Sequence, residues 1–129
     1  MLFRRKEIAW EVVDSKSIQP VPMFYEDEDL EVVSIKETNV RRTYVLDVKR
    51  DARESNQLLR ALMFAREQLQ QEIKRNGYNV LLSESWNVTV LRKAKLHRIQ
   101  VEYGGRPALA LNKIPERHPP FMAILQTSH

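Results

Sequence analysis

Cysteine is absent from this 129-residue chain, and glycine is almost as scarce, with only Gly77, Gly104 and Gly105. Without cysteine the chain has no disulfide bonds, no thiolate metal sites and no cysteine nucleophile, which fits a reducing compartment. None of the three glycines stands in the spacing of a phosphate-binding loop or a dinucleotide fingerprint, both of which place glycines around a strand-to-helix turn. These two absences exclude cysteine chemistry and the common glycine-rich nucleotide motifs.

Long apolar runs are also missing. No stretch approaches the roughly 18 apolar residues that a membrane-spanning helix needs. The first residues, Met1–Glu7, carry positive charge, but no apolar segment and no small-residue cleavage site follow them, so we do not interpret them as a secretory signal. We therefore expect a cytoplasmic or nuclear protein with no membrane partner.

Motifs for catalysis and metal binding are lacking too. The histidines His97, His118 and His129 do not stand at metal-ligand spacing, and no nucleophile elbow of the Gly-x-Ser-x-Gly type occurs. The acidic run Glu26–Asp29 lacks the glycine and the final glutamate of a calcium loop, so a solvated turn is the better interpretation. We expect no metal and no cofactor. The absence of catalytic motifs favours a non-enzymatic role.

The composition indicates one folded domain. Hydrophobic residues make up 43% of the chain and charged residues 29%, which is ordinary for a globular protein. We predict a single domain over residues 1–129, with a proline-interrupted tail over residues 114–129. Charge is uneven, because residues 1–50 hold nine basic and ten acidic side chains, whereas residues 51–129 hold twelve and seven.

The clearest element is a helix over Arg53–Asn76. Apolar residues recur there at spacings of three and four, which predicts one buried helix face. That face consists of Leu58, Leu62, Ala65, Leu69 and Ile73. Gly77 directly after Asn76 predicts a left-handed helix end, and Arg66 is placed on the solvent side.

A β-hairpin is predicted directly after the helix. If Arg92–Lys95 form a four-residue loop, Val90 faces His97, Val88 faces Ile99 and Trp86 faces Val101 on one apolar side. Gly104 and Gly105 are expected to end the second strand, with one further short strand at Ala108–Leu111.

The first half of the chain predicts β-structure. Alternation around Ile8–Val13 indicates a first strand, the proline- and serine-rich Ser15–Pro22 a loop, and the segments Leu30–Lys36 and Val40–Lys49 a second hairpin. The predicted fold class is therefore α+β: a mostly antiparallel sheet of five to six strands with one long helix packed on one face.

One helix shields only one face of such a sheet. Val80–Leu82 and Leu30–Ile35 look apolar on both sides, so we expect a second, uncovered apolar face. This predicts a small non-enzymatic binding module that acts through self-association or docking to another protein. The expected contact residues lie in the apolar tail: Phe121, Met122, Ile124 and Leu125.

Two other functions stay open at this point. The predicted hairpin carries a basic tip over residues 92–98, formed by Arg92, Lys93, Lys95 and Arg98, which would suit contacts with nucleic-acid phosphates. Alternatively, Trp86, His97 and Tyr103 would line a pocket between helix and sheet in a small ligand-binding protein or enzyme.

Overall fold

The computed structural model describes residues 9–24, 30–49 and 57–112. Within these ranges the chain forms one helix packed on one antiparallel sheet of five strands, so the predicted α+β class is confirmed. In chain order the elements are β1 (Glu11–Pro22), β2 (Val32–Ile35), β3 (Val40–Val48), α1 (Gln57–Arg75), β4 (Val80–Lys93) and β5 (Leu96–Ala110).

The two longest strands form the centre of the sheet. β4 and β5 pair with each other along most of their length, and β1 pairs with the other side of β4. β2 and β3 both pair with the remaining side of β5, one after the other along the strand. The sheet is therefore four strands wide at most levels, with β1 at one edge and β2 and β3 sharing the other.

The central hairpin exists, but its predicted register is wrong by two residues. A two-residue turn at Ala94–Lys95 replaces the predicted four-residue loop, and Ala94 takes a positive φ of 53° there. As a result Val90 lies opposite Ile99 rather than His97. Side chains alternate with a period of two, so this shift keeps every residue on its predicted face. Two-residue turns with a left-handed residue match the natural twist of paired strands better than longer loops do.

The predicted hairpin between Leu30–Lys36 and Val40–Lys49 is wrong. β2 and β3 do not pair with each other; each pairs with β5, which is 15 residues long and accommodates both. The backbone N–H of Lys36 donates to the carbonyl oxygen of Pro107 at 2.9 Å, so the chain follows β5 between the two strands instead of turning back. The weak turn signal of Glu37–Asn39 agrees with this continuation.

Two further boundary predictions are wrong. Ser15–Pro22 is not a loop but most of β1, and Gly104 and Gly105 do not end β5, which continues to Ala110. An edge strand leaves half of its backbone N–H groups outside the ladder, and proline is tolerated at those positions and at bulges. The pairing of β1 with β4 shifts between Ile18 and Val21, and Pro20 lies inside that irregularity.

Helix α1 follows the predicted pattern. Its whole predicted apolar stripe is buried, although the predicted start at Arg53 lies outside the described residues. The helix ends in a Schellman motif, in which Tyr78 N–H donates to the Ile73 carbonyl and Gly77 N–H to that of Lys74. Gly77 has a φ of 92°, which confirms the predicted left-handed stop.

The core lies between α1 and one face of the sheet. The helix contributes its stripe, and the sheet contributes alternate residues of the two central strands. The largest fully buried apolar side chains on the sheet are Trp86, Val88, Val90, Ile99, Val101 and Tyr103. Tyr44, Leu46 and Val48 of β3 pack against this core from the edge, on the one face that alternation predicts for them.

Candidate functional site

The residues of the predicted pocket do not all meet. Trp86 and Tyr103 are directly opposite each other in β4 and β5, and both are buried beneath the helix. His97 lies opposite Arg92, six residues from Tyr103 along β5, which corresponds to roughly 20 Å in an extended strand. The structure thus brings Trp86 and Tyr103 together and places His97 at the turn end of the sheet.

A buried charged cluster surrounds Tyr103 instead. Arg66 of α1 donates to Glu84 of β4 through both Nε (2.7 Å to Oε1) and Nη2 (3.3 Å to Oε2). The Tyr103 hydroxyl donates to the same Oε1 at 2.6 Å, and Glu84 is only 1% exposed. Burial, together with the neighbouring Glu84 carboxylate, raises the pKa of the Tyr103 hydroxyl. Both carboxylate oxygens are therefore occupied inside the protein.

This cluster fastens the helix to the sheet. A buried carboxylate without partners is strongly unfavourable, whereas a bidentate arginine and a hydroxyl satisfy it. Glu84 is 1% exposed, and its carboxylate joins β4 to Arg66 of α1 and to Tyr103 of β5.

Sequence reasoning missed this cluster, although one signal for it was present. Glu84 has the same parity as Trp86 and Val88, so alternation places it on the apolar face of β4. A charged residue on an apolar face predicts a buried partner. The prediction that Arg66 lies on the solvent side of the helix is wrong, because its guanidinium turns toward Glu84 and its side chain is 13% exposed.

Two of the four basic residues in the predicted tip form ion pairs within the chain. Arg92 forms an ion pair with Glu11 at 3.2 Å, and Arg98 donates to Asp47 at 2.7 Å. The hydrogen bond from Arg98 lowers the pKa of the Asp47 carboxyl. Lys95 lies exposed in the turn itself.

The ring of Trp10 contacts two basic residues of this tip. Its ring lies 4.2 Å from the guanidinium carbon of Arg98 and 5.9 Å from Nζ of Lys93. Cations held over an aromatic ring and beside carboxylates have less to gain from nucleic-acid phosphates. The contact of this tip with nucleic-acid phosphates stays a prediction.

The sheet face opposite the helix is not the apolar surface that the sequence predicts. On the two central strands that face carries mainly hydrophilic side chains, because alternation places them opposite the core residues. These are Ser85, Asn87, Thr89, Arg98, Gln100 and Glu102. The two segments that were expected to be apolar on both faces, Val80–Leu82 and Leu30–Ile35, are short and lie at one end of the sheet. Leu81 is buried there, and Val33 and Ile35 are exposed.

The predicted contact residues of the tail, Phe121, Met122, Ile124 and Leu125, lie outside the described residues. Among the described residues, the two edges of the sheet differ in the regularity of their outer strands, β1 and β3.

The β1 edge carries several features that obstruct pairing with another strand. Its register with β4 shifts twice, once between Val12 and Asp14 and once between Ile18 and Val21. Pro20 and Pro22 lack the N–H groups that a further strand would accept from. Bulges and prolines are the devices by which natural sheets protect their edges against another strand.

The β3 edge lacks these features. All nine residues from Val40 to Val48 pair with β5 in one unbroken register, without proline or bulge. No other strand among the described residues pairs with the outer side of β3. Its outer backbone groups are thus arranged as a straight, regular template, which is the geometry that strand addition requires.

Apolar side chains accompany this edge. On the hydrophilic face Val45 is 53% exposed at the middle of β3. On the helix side Phe64 meets the ring of Tyr44 edge to face, with centroids 6.4 Å apart, and Phe64 and Met63 are each 43% exposed. Exposed aromatic and aliphatic groups beside a regular edge strand are typical of docking surfaces. The strand also carries three exposed charged residues, Arg41, Arg42 and Asp47. We define residues 40–48 with Met63 and Phe64 as the β3 edge.

No protein-family model, curated protein or solved structure matches this chain. The described residues include no helix that is long and apolar enough to cross a membrane. In the same residues no three histidine, aspartate or glutamate side chains are grouped so as to hold a metal ion.

Proposed function

We propose that this chain is a non-enzymatic binding module that works by adding another protein strand at the β3 edge. The observation that carries the proposal is the contrast between the two edges, because β1 is bulged and proline-bearing whereas β3 is regular and bordered by exposed apolar groups. Main-chain hydrogen bonds give such docking its affinity, and alternate side chains give it specificity.

The proposed contact surface differs from the one that the sequence predicts. The expected self-association or protein docking is retained, but it no longer depends on an apolar sheet face or on the tail. The β3 edge replaces both, since its backbone groups and exposed side chains lie in the described part of the chain.

A lysine at the centre of β3 tests the proposal. We expect Val45→Lys to reduce association about tenfold or more, because a charged side chain on an edge strand opposes pairing with a further strand. The side chain of Val45 already points to solvent, so the fold has little reason to change. Light scattering over a range of protein concentrations measures the effect as the mass relative to the 15.2 kDa of one chain.

The matched control is Ser15→Lys on the opposite edge. Ser15 pairs with Thr89, Thr89 with Gln100 and Gln100 with Val45, so both positions lie in one row across the same face. We expect Ser15→Lys to associate like the wild type. A wild type that keeps the mass of one chain at every concentration, or equal effects of the two lysines, would contradict self-docking at the β3 edge.

A further inference from the structure

We propose that the added strand is β3 of a second copy of this chain, paired antiparallel with Tyr44 on the two-fold axis. This inference rests on the proposed docking at the β3 edge and specifies its partner and register. Two copies related by a two-fold axis perpendicular to the sheet bring the same strand together in opposite directions. The pairing then has to be self-complementary along β3.

Only one such register uses the whole strand. With Val40 opposite Val48 of the second copy, all nine residues of β3 are paired and Tyr44 lies opposite its own equivalent. A slip by two residues in either direction leaves two residues at an end without a partner. A slip by one residue would set core-side residues against solvent-side residues, which the alternation of β3 opposes.

Charge complementarity selects the same register. It places Arg41 opposite Asp47 of the second copy, twice by symmetry, on the hydrophilic face. Within each copy Arg41 already forms an ion pair with Glu102, and Arg98 already donates to Asp47. Negative and positive side chains therefore alternate in a row across the contact between the two copies. The row runs from Glu102 and Arg41 of one copy to Asp47 and Arg98 of the other.

A slipped register loses this pattern. Moved by two residues one way, Arg41 faces Val45 of the second copy; moved the other way, Asp47 faces Thr43. Opposite charges directly across an antiparallel pair stabilise it, and like charges destabilise it. Register and charge thus agree on one arrangement.

The helix side of the proposed contact has aromatic rings at its centre and the Arg42–Glu72 ion pair beside them. Tyr44 contacts Phe64, so the exposed ring of Phe64 lies on the β3 side of the helix. Tyr44 on the two-fold axis brings the second Tyr44 and Phe64 pair alongside the first. Aromatic groups clustered at the centre of a contact and charged pairs toward its rim match the usual anatomy of protein interfaces.

A mixing experiment with two charge variants tests the register. In Arg41→Asp, two aspartates face each other across both symmetric contacts; in Asp47→Arg, two arginines do. We expect each variant alone to associate about tenfold more weakly than the wild type. In an equimolar mixture the aspartate of one variant faces the arginine of the other at both contacts, so association returns to within about threefold of wild type. Native mass spectrometry distinguishes mixed from unmixed pairs by mass.

The control exchanges an equally exposed ion pair at the other edge. Glu11→Arg and Arg92→Asp, alone or mixed, should associate like the wild type, because Glu11 lies on β1 and its partner Arg92 on the adjacent β4. If Val45→Lys weakens association but the charge variants do not complement each other, the edge is used in a different register, and this inference is wrong. If Val45→Lys has no effect, the proposed function itself is wrong.

Discussion

Replacing Arg66 by alanine should lower the free energy of unfolding by about 3–5 kcal/mol, the range found when one member of a buried ion pair is removed. Glu84 is 1% exposed and loses its bidentate partner in this variant, so its charge stays buried and, among the described residues, keeps only the hydrogen bond from the Tyr103 hydroxyl. A domain of this size is typically stable by about 5–15 kcal/mol, so the loss is a large fraction of the total. Urea unfolding followed by circular dichroism measures it.

A second arginine–glutamate pair provides the control. Arg42 of β3 also reaches a helix residue, Glu72, at 3.0 Å, but half of its side chain is exposed. We expect Arg42→Ala to change stability by less than about 1 kcal/mol, because water screens exposed ion pairs. The triple variant Arg66→Met, Glu84→Leu and Tyr103→Phe should regain most of the loss, since it removes both charges and also the hydroxyl that donates to Glu84. Equal effects at Arg66 and Arg42 would show that the buried cluster does not fasten helix to sheet.

Gly105→Ala should destabilise the chain by about 3 kcal/mol, the upper end of the usual range for overpacking. A Cβ atom at this position would lie 2.4 Å from the carbonyl oxygen of Ser83 and 3.0 Å from a methyl group of Leu81. The obstacle is mainly backbone, which has no alternative rotamer. The close approach arises because the pairing of β4 with β5 is irregular between Leu81 and Glu84, directly beside Gly105.

The neighbouring glycine separates this steric effect from a general glycine effect. A Cβ atom at Gly104 would lie 3.1 Å from the carbonyl oxygen of Val40, a tight contact that a small movement of edge strand β3 relieves. We expect Gly104→Ala to destabilise by about 1 kcal/mol or less. Thermal unfolding of the two variants side by side compares them, and a loss at Gly104 equal to that at Gly105 would contradict the explanation.

Local periodicity predicted much of the fold. The helix stripe from Leu58 to Ile73, the stop at Gly77 and the face of every residue in the central hairpin follow from spacings within one or two elements. The register of that hairpin did not follow, because a shift of two residues leaves the sorting of faces unchanged. The register is set by the two-residue turn at Ala94, and alanine gives no signal for a left-handed conformation.

Long-range pairing was the part that the sequence did not reveal. β2 and β3 share one edge of β5 through contacts between residues far apart in the chain, such as Val40 with Gly105. Likewise Arg66 looked solvent-exposed until Glu84 was brought beneath it. The contrast between a bulged, proline-bearing edge and a regular edge emerged only when the order of strands was known, because proline in Ser15–Pro22 equally suits a loop and an edge strand.

Amide hydrogen exchange at low and high protein concentration tests the docking at β3 most directly. In a regular edge strand alternate N–H groups point away from the sheet, so they exchange with solvent unless another strand accepts them. We expect alternate amides between Val40 and Val48 to exchange more slowly at high concentration, while those of β1 keep the same rate. Exchange in β3 that is identical at both concentrations would contradict docking at this edge.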